Sequence, residues 1–198
     1  MQILVIGSGG REHALAWKSA QDNSVSKVYV CPGNAGTALE DKLENISLDI
    51  NNFEIIENFC KQENIGLVII GPEQPLVMGM TDYLQSKGIQ TFGPSQAAAQ
   101  LEGSKTFSKD FFIKYGIPTA DYAAFDSYDE SLRYIESIAY PTVVKADGLA
   151  AGKGVLICEN KNQAKAALDS IFKYQAFGEA GSSVVIEEFL EGEEASFI

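Results

Sequence analysis

The chain has 198 residues, 45% of them hydrophobic, which is enough to bury a core in one large or two small domains and excludes a disordered polymer. With 27 acidic against 15 basic residues the net charge is −12, which argues against nucleic acid or an anionic membrane as partner but leaves a few placed lysines able to hold a phosphorylated ligand. No apolar run approaches the roughly 20 residues that span a bilayer, and residues 1–7 read as a strand, not a leader peptide, so a cytoplasmic location is the default expectation.

In chain order, residues 2–7 are expected to form a buried strand, 11–21 a helix and 27–30 a second strand. A helix over 53–63 follows, with Phe53, Ile56, Phe59 and Cys60 at three-to-four spacing, then a strand over 67–71, a helix over 76–87 and a strand over 90–93. This βαβ alternation predicts a parallel sheet with ligands at the carboxyl ends of its strands. Pro94 and Ser95 break the pattern; 97–101 reads as a short helix and 104–115 as a longer one, stopped by Gly116 and Pro118. From Tyr122 the order becomes strand, helix (128–137), strand (142–146), loop, strand (155–158), helix (161–172), strand (183–187), which predicts a second, α+β domain. The expected division is 1–104 and 105–198, with a flap-bearing lobe over about 122–188. Cys31, Cys60 and Cys158 are odd in number, far apart and set in or beside apolar segments, so they read as reduced, packed thiols.

Residues 141–154 read Pro-Thr-Val-Val-Lys-Ala-Asp-Gly-Leu-Ala-Ala-Gly-Lys-Gly, a glycine-rich loop between two strand-like runs, with Lys145 on the incoming strand and Lys153 on the loop. A Walker loop needs four residues between its first glycine and Gly-Lys-Ser/Thr, followed by a helix. Here Gly148 and Gly152 enclose three, Gly154 replaces the hydroxyl residue and a strand follows. What remains is a strand-loop-strand flap whose glycines let backbone N–H groups approach phosphate. A hairpin tip with a solvated lysine is the competing reading.

The first strand ends in Gly7-Ser8-Gly9-Gly10-Arg11-Glu12-His13-Ala14, which begins as a dinucleotide fingerprint and departs from it at Glu12, the third glycine position. No acidic residue closes the second strand, where Val30-Cys31-Pro32-Gly33 stands instead, so a nicotinamide oxidoreductase is discouraged. The turn still suits a monophosphate, unless it is only a tight strand-to-helix connection. Two more loops leave the same sheet edge, Pro32-Gly33-Asn34-Ala35-Gly36-Thr37 and Gly71-Pro72-Glu73-Gln74-Pro75. The substrate-binding candidates are therefore Gly9, Gly10, Arg11, Asn34, Gly36, Thr37, Pro72 and Glu73, the last suited to sugar hydroxyls or else a solvated turn residue. His13 reads as a positioning or packing residue.

Gly-Gly-Arg-Glu-His-Ala (9–14), Pro-Gly-Asn-Ala-Gly-Thr (32–37), Gly-Pro-Glu (71–73), Leu-Glu-Gly-Ser-Lys (101–105), Lys-Ala-Asp-Gly-Leu-Ala-Ala-Gly-Lys-Gly (145–154) and Glu-Glu-Phe-Leu-Glu-Gly-Glu-Glu-Ala-Ser-Phe (187–197) together resemble the glycinamide ribonucleotide synthetase family of the ATP-grasp superfamily, over the whole chain. The resemblance implies an α/β fold, a Rossmann-like pre-ATP-grasp domain followed by a truncated α+β ATP-grasp domain. It also implies ATP-dependent ligation of glycine to 5-phosphoribosylamine in purine biosynthesis, through glycyl phosphate. By the family's pattern Lys105 and Lys145 reach the phosphates, the flap with Gly148, Gly152, Lys153 and Gly154 closes over them, the hinge from Glu187 to Leu190 meets the adenine, and Glu194 takes the ribose hydroxyls. Glu191 and Glu193 stay with the reading of a solvated acidic turn. The chain stops at Ala195-Ser196-Phe197-Ile198, inside an expected strand, so the Mg ligands are expected beyond residue 198 and the 198 residues alone are expected to be inactive. No catalytic or metal-binding residue is therefore assigned within them. The alternative is a non-catalytic ribotide- or nucleotide-binding module.

Overall fold

The structure, a computed structural model, describes residues 1–150 and 152–195. It divides into two compact units, Met1–Gln100 and Leu101–Ile198.

The first unit is built on a five-stranded parallel sheet of β1 (Gln2–Gly7), β2 (Lys27–Pro32), β3 (Leu43–Asn45), β4 (Ile65–Ile70) and β5 (Thr91–Phe92), in the order β3-β2-β1-β4-β5. β1 is buried on both faces, and alternate residues feed two cores. Leu4 and Ile6 pack with Ile56, Cys60, Met80 and Leu84 on one face, and Ile3 and Val5 with Ala16, Ala20, Val28 and Val30 on the other. That is why the strand is a continuous apolar run and not an alternating one. The first helix, α1 (Gly10–Ala20), supplies Ala16 and Ala20; α2 (Phe53–Gln62) supplies Ile56 and Cys60 from an N-cap at Asn52, whose side chain accepts the Ile55 N–H.

Three features of this unit differ from the expected order. β3 has no sequence signal, being three half-exposed residues that pair with β2. The single helix expected over 76–87 is two, α3 (Glu73–Val77) and α4 (Met80–Ser86), because Gly79 sits at φ 94, which a continuing helix does not permit. With Pro72 as N-cap, Glu73 opens a helix and is not in a free loop.

The division between units falls within α5 (Gln96–Gly103), and α6 (Lys105–Tyr115) follows. Ser104 caps α6 by accepting the Phe107 N–H at 3.1 Å, and Gly116 ends it at φ 66. The second unit's sheet is antiparallel, in the order β6-β9-β7-β8, from β6 (Tyr122–Phe125), β7 (Thr142–Ala146), β8 (Val155–Cys158) and β9 (Val184–Glu188). α7 (Tyr128–Tyr134) and α8 (Lys161–Leu168) belong to the core on one face, where Ile135 and Leu168 meet Val144, Ala146, Cys158 and Ile186. α7 ends three residues before the expected 137, and α8 gives way to a π-helical turn over Asp169–Lys173, where Tyr128, Lys165 and Lys173 converge on the Asp169 carboxylate. Of the expected terminal strand, 196–198 lie outside the described residues, as does Ala151 of the glycine-rich loop.

Candidate functional site

In the first unit the glycines at the strand ends make room for one side chain. Glu12 is 4% exposed, and its carboxylate accepts from the Gly9 N–H at 2.8 Å and from Arg11 Nε at 2.7 Å. A Cβ on Gly7 would fall 2.3 Å from Glu12 Cγ, and one on Gly71 2.2 Å from Glu12 Oε1. The protein's own carboxylate thus occupies the turn that resembled a dinucleotide fingerprint, and the Gly9 amide, expected to face substrate, is spent on it. Arg11 reaches outward instead. Its Nη1 lies 3.3 Å from Glu73 Oε1, its Nη2 donates to the Gly71 carbonyl, and the pairing with Glu12 raises its pKa against the cost of partial burial.

The loop after β2 is closed on itself. Asn34 Oδ1 accepts from the Gly36 and Thr37 N–H groups at 2.7 and 3.0 Å, and its Nδ2 donates to the Ser8 carbonyl at 2.9 Å. Thr37 is fully buried, its hydroxyl 2.9 Å from the Asn34 carbonyl and 2.7 Å from Asn45 Oδ1, so its side chain shapes the loop. Asn45, unmarked in the sequence, props this loop from β3 by donating to the Asn34 carbonyl at 2.7 Å. Gly33 is needed there, at φ 72, with a Cβ only 2.2 Å from Asn45 Oδ1. His13 packs under Gly36 and pairs with Glu40 at 3.0 Å, beside a cavity of about 270 Å³ that Gly10 also lines. Of the candidates at this edge, Gly9, Gly10 and Arg11 are exposed, Asn34, Gly36, Pro72 and Glu73 half-buried, and Thr37 buried.

In the second unit Lys145 lies on β7 between Val155 of β8 and Val185 of β9. Its Nζ donates to Glu187 Oε2 at 2.8 Å, and the buried Lys109 ammonium lies 3.1 Å from the same oxygen. Lys105, in the first turn of α6, donates to the carbonyls of Asp147 and Gly148 at 3.3 and 3.1 Å. Burial lowers its pKa; Asp147 opposes that shift and the Lys145 ammonium adds to it, so the two phosphate candidates share one electrostatic neighbourhood.

Asp147 fastens this arrangement. Its carboxylate accepts from the Thr106 N–H at 2.6 Å and from Ser104 Oγ at 3.0 Å, its carbonyl from the Lys105 N–H at 3.2 Å, and its own N–H donates to the Ser183 carbonyl at 3.0 Å. The start of α6 is thereby tied to the root of the glycine-rich loop. Asp147 carries no motif of its own in the sequence, although a helix opening on Gly-Ser-Lys needs acceptors for its first N–H groups. The loop glycines divide by task. Only Gly152 has positive φ, 74°, with open space around it; a Cβ on Gly148 would meet Ala180 Cα at 2.8 Å, and one on Gly154 Ala150 Cβ at 2.7 Å. Lys153 is exposed.

Glu187, the first residue of the expected adenine hinge, lies in β9 and is paired on both sides; its carbonyl accepts Thr142 Oγ1 at 2.7 Å and its Oε2 is shared by Lys109 and Lys145. The chain leaves the sheet after Glu188, and Leu190 and Glu194 are exposed beyond it. Among the described residues no three His, Cys, Asp or Glu side chains group to hold an ion.

Residues 1–102 match the family model described as phosphoribosylglycinamide synthetase, N domain, and residues 103–198 the model described as phosphoribosylglycinamide synthetase, ATP-grasp (A) domain. The phosphoribosylamine–glycine ligases of Pseudomonas putida and Pasteurella multocida are 56% and 55% identical over 198 residues, all of this chain and 46% of each relative. A crystal structure of the phosphoribosylamine–glycine ligase from Thermotoga maritima superposes with a TM-score of 0.75 at 32% identity, covering 98% of this chain and 45% of that one. The chain spans about half the length of the curated relatives it matches.

Proposed function

Since the chain belongs to the phosphoribosylglycinamide synthetase family, we propose that the protein carrying it joins glycine to 5-phosphoribosylamine with ATP as the driving substrate. The observation that carries this reading is the convergence of Lys105 and Lys145 at the root of the glycine-rich loop, one in the first turn of α6 and one on β7. Two ammonium groups at fixed positions suit the charge that builds on a transferring phosphoryl group. The loop over 148–154, including Lys153, is read as the cover that keeps water from the reacting groups, with Leu190 and Glu194 toward the nucleoside.

In the finer reading, a glycine carboxylate oxygen attacks the γ-phosphorus, the bond to the bridging oxygen breaks, and ADP leaves. The amine of 5-phosphoribosylamine then attacks the carbonyl carbon of glycyl phosphate, and phosphate departs with the bonding pair as the nitrogen loses a proton. A free carboxylate has no adequate leaving group, which is why activation comes first. The first unit is read as the ribotide platform, with Arg11 toward the phosphate and Glu73 toward the sugar hydroxyls.

The test is product analysis on the full-length protein with ATP, glycine and 5-phosphoribosylamine. ADP, phosphate and glycinamide ribonucleotide should form in equal amounts and only when all three substrates are present. Phosphate release without the amide product overturns the proposal.

A further inference from the structure

Two ammonium groups share one buried carboxylate oxygen, and only one of them is open. Lys109 Nζ and Lys145 Nζ lie 3.1 and 2.8 Å from Glu187 Oε2, with side-chain exposures of 9% for Lys109, 24% for Lys145 and 6% for Glu187. Lys109 also donates to Thr119 Oγ1 at 2.8 Å and to the Ala120 carbonyl at 3.1 Å, which fixes its position beside Glu187. It sits one turn after Lys105 on the same face of α6, 5.7 Å from the centre of the Tyr122 ring. Two positive charges against one negative leave Lys145 partly uncompensated. The geometry also sets what happens when Lys145 turns toward an anion: with Lys109 in place, Glu187 keeps a partner; without it, a buried carboxylate would be stranded, at a large cost.

We propose that Lys109 is a positioning residue for the nucleotide polyphosphate, acting through Glu187 by keeping that carboxylate compensated while Lys145 shifts to the phosphates. The proposal rests on the reading that Lys145 holds ATP, and it adds a residue that touches no substrate.

The test is a double-variant cycle on the full-length protein, reading the Kd of the β,γ-imido analogue of ATP by calorimetry, with adenosine as the phosphate-free control. Lys109→Met should weaken the analogue at least about tenfold and adenosine less than about twofold, since only the polyphosphate calls on Lys145. In Lys109→Met/Glu187→Gln, where no carboxylate charge remains to be stranded, affinity should return to within about threefold of Glu187→Gln alone. Losses that multiply across the cycle, or wild-type affinity for the analogue in Lys109→Met, overturn the proposal. A merely structural role for Lys109 would weaken both ligands and would not be relieved by Glu187→Gln. Where Lys109→Met melts too low to titrate, the double variant is compared with Glu187→Gln: matching affinities support the proposal, and a tenfold gap overturns it. If Lys145→Met leaves the wild-type Kd unchanged, the ATP reading fails and takes this role with it; a normal Lys145 effect with a failed cycle removes Lys109 alone.

Discussion

Lys145 and Lys153 are both lysines of one glycine-rich motif, and their surroundings separate them. Lys145 is anchored in a central part of the sheet with its ammonium on Glu187, whereas Lys153 is exposed on the loop. In the full-length protein, Lys145→Met keeps the bulk of the stem and removes the charge, and should lower kcat/KM for ATP by at least about 10²-fold. Lys153→Ala should cost less, because an exposed lysine is better screened and gives up more entropy on ordering. Steady-state kinetics with thermal melts as the folding control check both. Lys105 adds a pH signature. Burial lowers its folded pKa below the ordinary lysine range, so the unfolded chain keeps the proton to higher pH and Lys105's contribution to stability rises with pH across that window. Phosphate favours the charged form, so nucleotide binding should take up protons on the alkaline side, and affinity should fall as pH rises through the depressed value. Calorimetry in buffers of differing ionisation heat should detect that uptake, and Lys105→Met should remove it.

At the scale of elements, the start of α6 depends on Asp147 as well as on Ser104. Asp147→Ala removes the acceptors of the Thr106 N–H and Ser104 Oγ and should destabilise the fold by about 1–2 kcal/mol. It should also raise KM for ATP, because Lys105 loses the anchorage of its turn; Asp147→Asn, which keeps one oxygen acceptor, should recover part of both. The loop glycines give a second contrast, by thermal denaturation. Gly148→Ala brings a Cβ to 2.8 Å from Ala180 Cα and needs a backbone shift, whereas Gly152→Ala meets open space and pays only for positive φ, about 1 kcal/mol. Gly148→Ala should therefore be the more destabilising. The order would reverse if conformational freedom were the main use of Gly148.

For the whole molecule, the cysteines report on the two units separately. Cys31 and Cys60 belong to one of the first unit's two cores and Cys158 to the second unit's core, all as buried free thiols. Burial pushes each thiol pKa up, that of Cys60 to about 11, so at neutral pH none presents an appreciable thiolate. An aromatic disulfide reagent should leave the native protein unlabelled on the timescale that modifies all three thiols in denaturant. Peptide mapping of partial labelling under mild denaturant would show which core opens first, and rapid reaction of any one thiol in the native protein would contradict the packing described.

The sequence by itself determined the alternation of strands and helices, because a parallel strand buried on both faces must be a continuous apolar run and an amphipathic helix must repeat at three-to-four spacing. It also located the two strands that flank the glycine-rich loop and placed Lys145 on the first of them, since Val143 and Val144 before it and Val155 to Cys158 after it are apolar runs with no competing pattern. Tertiary structure alone decided the rest. The break at Gly79 follows from a left-handed backbone angle, and β3 exists only as an edge laid against β2. The burial of Thr37 depends on Asn45, and the Glu12 carboxylate fills the first turn only because Gly7, Gly9 and Gly71 converge on it. Likewise Lys145 and Glu187 are 42 residues apart in the chain and 2.8 Å apart in space. Local propensity sees nearest neighbours along the chain, and a shared carboxylate or a crowded glycine is a property of segments that meet only when the sheet is complete.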